Sequence, residues 1–355
     1  ELADVDAVGQ AELVRSGQVT ALELVEAAIE RIEAVNAQLN AVIMTRYDEA
    51  AAEAAGSLPD GPLRGVPFLL KDIGATQEGT PQHMGNRAFK SAGVMSDGDT
   101  VLGARFRHAG LVTLGKTNLP ELGTTPTTQP LAYGATNNPW DVSRSPAGSS
   151  GGAAAAVASG MVPVAHANDG GGSTRLPAAW NGLVGLKTTR GRQPMPETNS
   201  RLRSELVVSR TVRDTAAVLD ATHGHTSGDL YHLPPPERPY VDEVGRDVAA
   251  LRVGLLVGGG EEYEIDPEAV VAADVAARQL EAWGHRVEPV GDDVLFSGES
   301  RVNGQLWMAG IRRRVDALAE ALGRPQTADE VEPLSLIHIS EPTRPPLLNR
   351  MPSSA

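Results

Sequence analysis

The chain has 355 residues, a formal net charge of −14 at pH 7, 41% hydrophobic and 21% charged residues, and no cysteine. That balance describes an ordinary globular protein of one large or two average domains and argues against nucleic-acid binding, which needs a basic face. The absent cysteines exclude a thiol nucleophile, disulfides and thiolate metal ligation. No stretch approaches the roughly 18 uninterrupted apolar residues of a membrane span. The acidic opening "ELADVDAVGQ" lacks the basic and apolar regions of a signal peptide, so a cytoplasmic location is expected. It also lacks an initiator Met, and a short leader is expected to have been lost.

The first helix is expected from about Thr20 to Val35. Thr20 and Glu23 have the spacing of a capping box, and Val25, Ile29, Ile32 and Val35 recur at helical period. The turn "LPDGPLRG" leads into "VPFLLKDI", an apolar run with the length of a buried strand. Asp99 is placed to cap a helix through Val101, Leu102 and Phe106 to Gly110. After it, "LVTLGKTNLPE" reads as another buried strand leaving through a polar turn. Such strand–helix–strand alternation implies an α/β protein with a largely parallel sheet.

Residues 145–160, "SPAGSSGGAAAAVASG", hold almost nothing but small side chains. Gly148 to Gly152 make a poor helix and Ala153 to Ala158 a good one, alanine having the highest helix propensity. A flexible linker pairs Gly and Ser with charge, whereas this segment runs into the apolar, strand-like "MVPVAHA". It reads as a Gly-rich loop entering a tightly packed alanine helix. Residues 224–248 are rich in Pro and polar side chains and read as an excursion or a subdomain connection. A second α/β unit follows, with strand "LRVGLLV", a helix from Asp266-Pro267 to Trp283 stopped by Gly284, and strand "HRVEPV". A further helix is expected from about Arg301 to Leu322. From about Leu334, "LSLIHISEPTRPPLLNRMPSSA" shows no periodicity and reads like wrong-frame or adaptor sequence. Residues 334–355 are therefore expected to be a non-native tail, with the natural C-terminal part truncated.

Gly258-Gly259-Gly260 follows a strand but matches neither phosphate-loop pattern, which leaves a simple turn. "GSSGG" at 148–152 fits G-x-S-x-G with Ser150 as nucleophile. That elbow needs a preceding strand, and "NPWDVSRSPA" is a poor one; His223, His225, His232 and His285 sit in no recognisable context. His223 and His225 form H-x-H without an accompanying cluster and read as loop residues, so no metal is implied. Three features remain. Lys71 ends an apolar run, Ser149 lies in the Gly-rich loop, and Ser173 follows "DGGG" after the strand-like "MVPVAHAN".

The runs "GVPFLLKD", "KTNLPELG", "GATNNPWD", "GSSGGAAAAVASG" and "DGGGSTRLPAAWNGLVGLKTTRGR" together resemble the amidase signature family. The likeness covers residues 10–225 well and 250–320 loosely, and its texture is similar to the 6-aminohexanoate cyclic-dimer hydrolase-like bacterial amidases. The resemblance implies an α/β fold whose mixed central β-sheet is covered by helices on both faces. The domain would span 1–333, with a core at 61–225 and a further α/β unit at 250–323. It also implies a Ser–cis-Ser–Lys triad with Ser173 as nucleophile, Ser149 after a cis peptide as bridge, and Lys71 as base. Ser150 would stand in support, Gly170, Gly171 and Gly172 would form the oxyanion hole, and Asp169 and Arg175 would hold that loop. No cofactor is implied. The partner would be a small-molecule amide, with no nucleic acid or membrane, and a homodimer is allowed.

The chemistry agrees with this assignment. A serine hydroxyl is a weak nucleophile and needs a base within hydrogen-bond reach. Lysine serves only when burial lowers its pKa, and "VPFLL" before Lys71 supplies that burial. Ser149 can pass the proton from Ser173 to Lys71 and return it to the leaving amine. Each backbone donor aimed at the developing oxyanion is worth about 2.7–4 kcal/mol of barrier. Ala147 stands where the family often has Gly, Ala153 where Ser is usual, and Thr174 where Ile or Val is common; none removes a reacting group. The expected function is amide hydrolysis through an acyl-enzyme. The rivals are a glutaminase subunit of an aminoacyl-tRNA amidotransferase and an inactive fragment that binds acyl ligands without turnover.

Overall fold

The computed structural model describes residues 2–196, 202–258, 264–291 and 300–340. The chain divides into two compact units, one of Glu1–Val244 with Arg313–Ser340 and one built from Gly245–Arg312.

The first unit is organised on a six-stranded sheet of β1 (Val42–Thr45), β2 (Pro67–Lys71), β3 (Val112–Thr117), β4 (Val164–Asp169), β5 (Val184–Gly185) and β6 (Ser204–Ser209), in the order β1-β3-β2-β4-β6-β5. Only β3, β2 and β4 run parallel; β1, β6 and β5 pair antiparallel with their neighbours. The sheet is therefore mixed, and the parallel reading holds for its centre alone. Helices are α1 (Ala7–Arg15), α2 (Ala21–Leu39), α3 (Tyr47–Ala55), α4 (Arg87–Ala92), α5 (Val101–His108), α6 (Gly151–Ala158), α7 (Arg175–Asn181), α8 (Val212–Thr222), α9 (Pro267–Ala282), α10 (Ser300–Leu322) and α11 (Pro333–Ser340).

Successive side chains of a strand leave on opposite faces. Leu69 and Ala165 accordingly join a core with α2, α3 and α6, while Phe68, Leu70 and Val164 join one with α1, α5 and α8. With both faces covered, β2 is buried throughout, which is why it reads as a continuous apolar run.

Local signals set most element ends. Thr20 Oγ1 accepts the Glu23 amide at 3.1 Å and the Glu23 carboxylate accepts the Thr20 amide at 2.7 Å, completing the capping box of α2. That helix continues past the expected Val35 to Leu39 and closes on Asn40 in the left-handed region. The cap of α5 is Thr100 rather than Asp99: its hydroxyl accepts the Gly103 amide at 3.1 Å, while Asp99 accepts the Glu78 amide at 2.7 Å.

Helix α6 also departs from expectation, starting at Gly151 rather than Ala153. A Cβ at Gly151 would stand 2.2 Å from Thr128 Oγ1, and one at Gly152 would stand 2.4 Å from the Asn118 amide nitrogen. Close packing, not propensity, dictates glycine there. Every residue from Gly151 to Val157 is buried, so alanine follows for the same reason.

In the second unit β7 (Arg252–Leu255) and β8 (Arg286–Pro289) form a parallel pair, and Asp266 caps α9 with Pro267 in its first turn. Gly259 and Gly260 of the glycine turn lie outside the described residues. Of the segment expected to be a non-native tail, Leu334 to Ser340 belong to α11. Pro333 suits a first helical position. Just before it, the Glu332 amide donates to Glu121 Oε2 at 2.9 Å and Glu332 Oε1 accepts the Leu131 amide at 2.8 Å. Residues 341–355 lie outside the described residues.

Candidate active site

Strand β2 ends on Lys71, whose side chain is fully buried. Its Nζ lies 2.8 Å from each of three oxygens, Ser149 Oγ, Ser150 Oγ and Asn168 Oδ1. Burial holds the Lys71 ammonium well below the usual lysine range; Arg203 deepens the effect while Glu205 and Asp169 oppose it. The Gly148–Ser149 peptide is cis, and Ser150 is the N-cap residue of α6. Asn168 comes from β4, and His166 of the same strand accepts the Lys71 amide on Nδ1 at 3.3 Å.

Ser173 stands on the loop leaving β4. Its carbonyl accepts the Ser150 amide at 3.2 Å, which fastens the two serine loops together. Ser173 is partly exposed, and its hydroxyl has no hydrogen-bond partner among the described residues. Lys71, Ser149 and Ser150 thus form one hydrogen-bonded cluster, with Ser173 on the adjoining loop.

Asp169 shapes that loop. Its carboxylate accepts the amides of Gly172 at 2.8 Å, Thr174 at 3.2 Å and Arg175 at 3.3 Å, and both arms of the Arg175 guanidinium at 2.9 Å. Burial would raise its pKa, but Arg175 and the loop amides hold it below the usual carboxylate range. Here the structure corrects the expected donor set. The Gly172 amide is already engaged by Asp169, and Gly172 supplies a turn at φ 124°. The amides of Gly170, Gly171 and Ser173 have no partner among the described residues and are free to meet an oxyanion.

Sequence reasoning missed the groups beneath Lys71. His166 Nε2 lies 3.1 Å from Glu205 Oε2, which also accepts the Ala75 amide at 3.0 Å. Because Nδ1 accepts a backbone N–H, His166 is the neutral tautomer with its proton on Nε2, and its burial favours that state. Burial would raise the Glu205 pKa, but Arg203, His166 and the Ala75 amide bring it down to about 2. A period-2 alternation of His166 and Asn168 with Ala165 and Ala167 marks these positions in the sequence. A second buried pair adjoins them. Burial pushes Asp72 up to about 7, while burial brings Lys116 down to about 8 against the pull of Asp72.

The nucleophile-elbow alternative fails on structure: no strand precedes Ser150, and its side chain is buried against Lys71. The loop histidines pack on rings, His223 on Tyr240 and His225 on His232. Among the described residues no cluster of three or more His, Asp or Glu could hold a metal, and no helix is long and apolar enough to cross a membrane.

A family model for amidases matches residues 23–352. The chain belongs to the amidase family. The 6-aminohexanoate-cyclic-dimer hydrolase of Paenarthrobacter ureafaciens is 42% identical over 339 residues, covering 92% of this chain and 68% of that protein. A solved structure of a 6-aminohexanoate cyclic dimer hydrolase matches this amidase with a TM-score of 0.89 at 40% identity, over 96% of this chain and 71% of the other. A bacterial aryl acylamidase structure matches with a TM-score of 0.85 at 30% identity, over 94% of this chain and 71% of the other. The amidase is accordingly an enzyme that hydrolyses carboxylic amides.

Proposed function

We propose that this amidase works through an acyl-enzyme on Ser173, with Ser149 as proton relay and Lys71 as base. The observation that carries the reading is a fully buried lysine amine 2.8 Å from the Ser149 hydroxyl. An amine deprived of water loses its preference for the ammonium form and can accept a proton at neutral pH.

Ser173 Oγ attacks the substrate carbonyl carbon as its proton passes to Ser149 and the Ser149 proton to Lys71 Nζ. The tetrahedral oxyanion sits on the free amides of Gly170, Gly171 and Ser173. The relay then runs in reverse, delivering the proton to the leaving nitrogen. The C–N bond breaks, the amine departs and Ser173 remains acylated. Water repeats the attack with Lys71 again taking the proton, and the carboxylic acid is released. Asp169 and Arg175 hold the donor loop in shape without touching the reacting atoms.

The substrate class follows the named relatives. The 6-aminohexanoate cyclic dimer is a ring of two secondary amides, and the proposed substrates are secondary amides of that kind, cyclic or linear. The test offers the purified chain this cyclic dimer and a chromogenic anilide, following amine release. Ring opening by the parent chain is expected, with Lys71→Ala, Ser149→Ala and Ser173→Ala each losing at least about 10³-fold in kcat. Parent-like turnover by Lys71→Ala or Ser173→Ala would overturn the triad.

A further inference from the structure

Three oxygens surround Lys71 Nζ, and the three are not equivalent. An ammonium has three protons and can donate to all of them. A neutral amine has two N–H bonds and one lone pair, so one contact must reverse and its oxygen must become the donor.

Asn168 Oδ1 carries no proton. Its amide cannot turn over to offer the nitrogen, because Asn168 Nδ2 already donates to the Ile73 carbonyl at 3.0 Å. Ser150 Oγ has its own acceptor in the Asn168 carbonyl at 3.4 Å, so it receives an N–H from Lys71 while its proton points away. Ser149 Oγ has no other partner among the described residues. It is the one neighbour whose proton can swing onto the lysine nitrogen.

We propose that Asn168 is a positioning residue: by accepting one N–H of the neutral Lys71 amine, with Ser150 accepting the other, it turns the lone pair towards Ser149. The proposal rests on the Ser173–Ser149–Lys71 reading and adds what gives that relay its direction. A buried primary amine is free to rotate about its Cε–Nζ bond, and a rotamer with the lone pair on Ser150 or Asn168 would leave the Ser149 proton without an acceptor. One side-chain amide, clamped at both ends between Nζ and the Ile73 carbonyl, excludes the second of these states.

The test follows inactivation by a fluorophosphonate between pH 5 and 10 in the parent chain, Asn168→Asp and Asn168→Ala, locating the adduct by mass spectrometry. Asn168→Asp sets a carboxylate beside Nζ, favours the ammonium and should move the rising limb of the pH–rate curve to higher pH by at least about one unit. Asn168→Ala removes an acceptor of the ammonium and should move the limb to lower pH. The loss of orientation should also slow its plateau rate at least about tenfold. A merely structural asparagine would alter rates and leave the limb in place. The alanine variant introduces no buried charge, so the reading survives misfolding of the aspartate variant. An unmoved limb with Ser173 still labelled overturns the role of Asn168 alone. Labelling of the parent at another residue overturns the triad reading beneath it, and this role falls with that reading.

Discussion

Asp169 grips the Arg175 guanidinium through two bonds of 2.9 Å, and the same carboxylate accepts three amides of the loop that carries Ser173. The carboxylate is almost entirely buried while Arg175 is 52% exposed, so the guanidinium covers it from the solvent side. Asp169→Asn would turn an N–H towards donors it can no longer accept from. The expected result is a loss of about 1–3 kcal/mol in urea unfolding and a fall in kcat of about a hundredfold or more. Arg175→Lys keeps the charge but not the fork, and should cost less on both counts. The reverse ranking would contradict this assignment.

Gly152 and Gly171 make opposite demands. A Cβ at Gly152 meets the Asn118 backbone, whereas one at Gly171 meets nothing within 4 Å. Gly152→Ala should lower stability by about 1–3 kcal/mol in thermal unfolding, and Gly171→Ala should leave it within about 0.5 kcal/mol. Equal melting temperatures for the two variants would refute the packing explanation of α6.

Glu205 has a folded pKa depressed to about 2 from its ordinary 4.5. The stability it contributes is therefore present above pH 4.5 and is lost as pH falls from there towards 2. Glu205→Gln should be less stable than the parent at pH 7 by about 1–3 kcal/mol, and the gap should narrow across that acidic window. A gap independent of pH would contradict the charged state of Glu205.

Asp72 and Lys116 work the other way. With Asp72 raised from 3.8 to about 7, stability falls as pH rises between those values. With Lys116 lowered from 10.5 to about 8, stability rises with pH between 8 and 10.5. The Lys116 ammonium nitrogen has no hydrogen-bond partner among the described residues, so the pair is held by field alone. At pH 8, Lys116→Met should destabilise by about 3 kcal/mol because Asp72 must then either ionise unpaired or take up a proton, and adding Asp72→Asn should recover most of that loss. A double-mutant cycle by urea unfolding measures the recovery, and simple additivity would contradict the coupling.

What could be read ahead of the structure was local. The capping box of α2 and the Asp266-Pro267 start of α9 depend on residues three positions apart or fewer, and both are seen. Asp99 and Thr100 are adjacent cap formers, and the choice between them rests on the Glu78 amide, which lies 21 residues away in sequence. The glycines at 151 and 152 were misread by propensity because the atoms excluding a side chain belong to Thr128 and Asn118. Lys71, Ser149 and Ser173 were singled out only through a family resemblance, since no spacing rule joins residues this far apart; the structure brings Lys71 and Ser149 into contact. Asn168 and Glu205 were not: their partners lie 97 and 39 residues away, at Lys71 and His166. Only the alternation along β4 hinted that polar groups were facing one side of a buried strand.

The central claim is that burial of Lys71 activates Ser173 through Ser149, and covalent labelling tests it most directly. The purified chain is treated with a fluorophosphonate and the adduct located by mass spectrometry, alongside Lys71→Ala and Ser149→Ala. Labelling at Ser173, lost or slowed at least about a hundredfold in both variants, is the predicted result. Labelling at Ser150, or labelling at Ser173 that persists unchanged without Lys71, would contradict it.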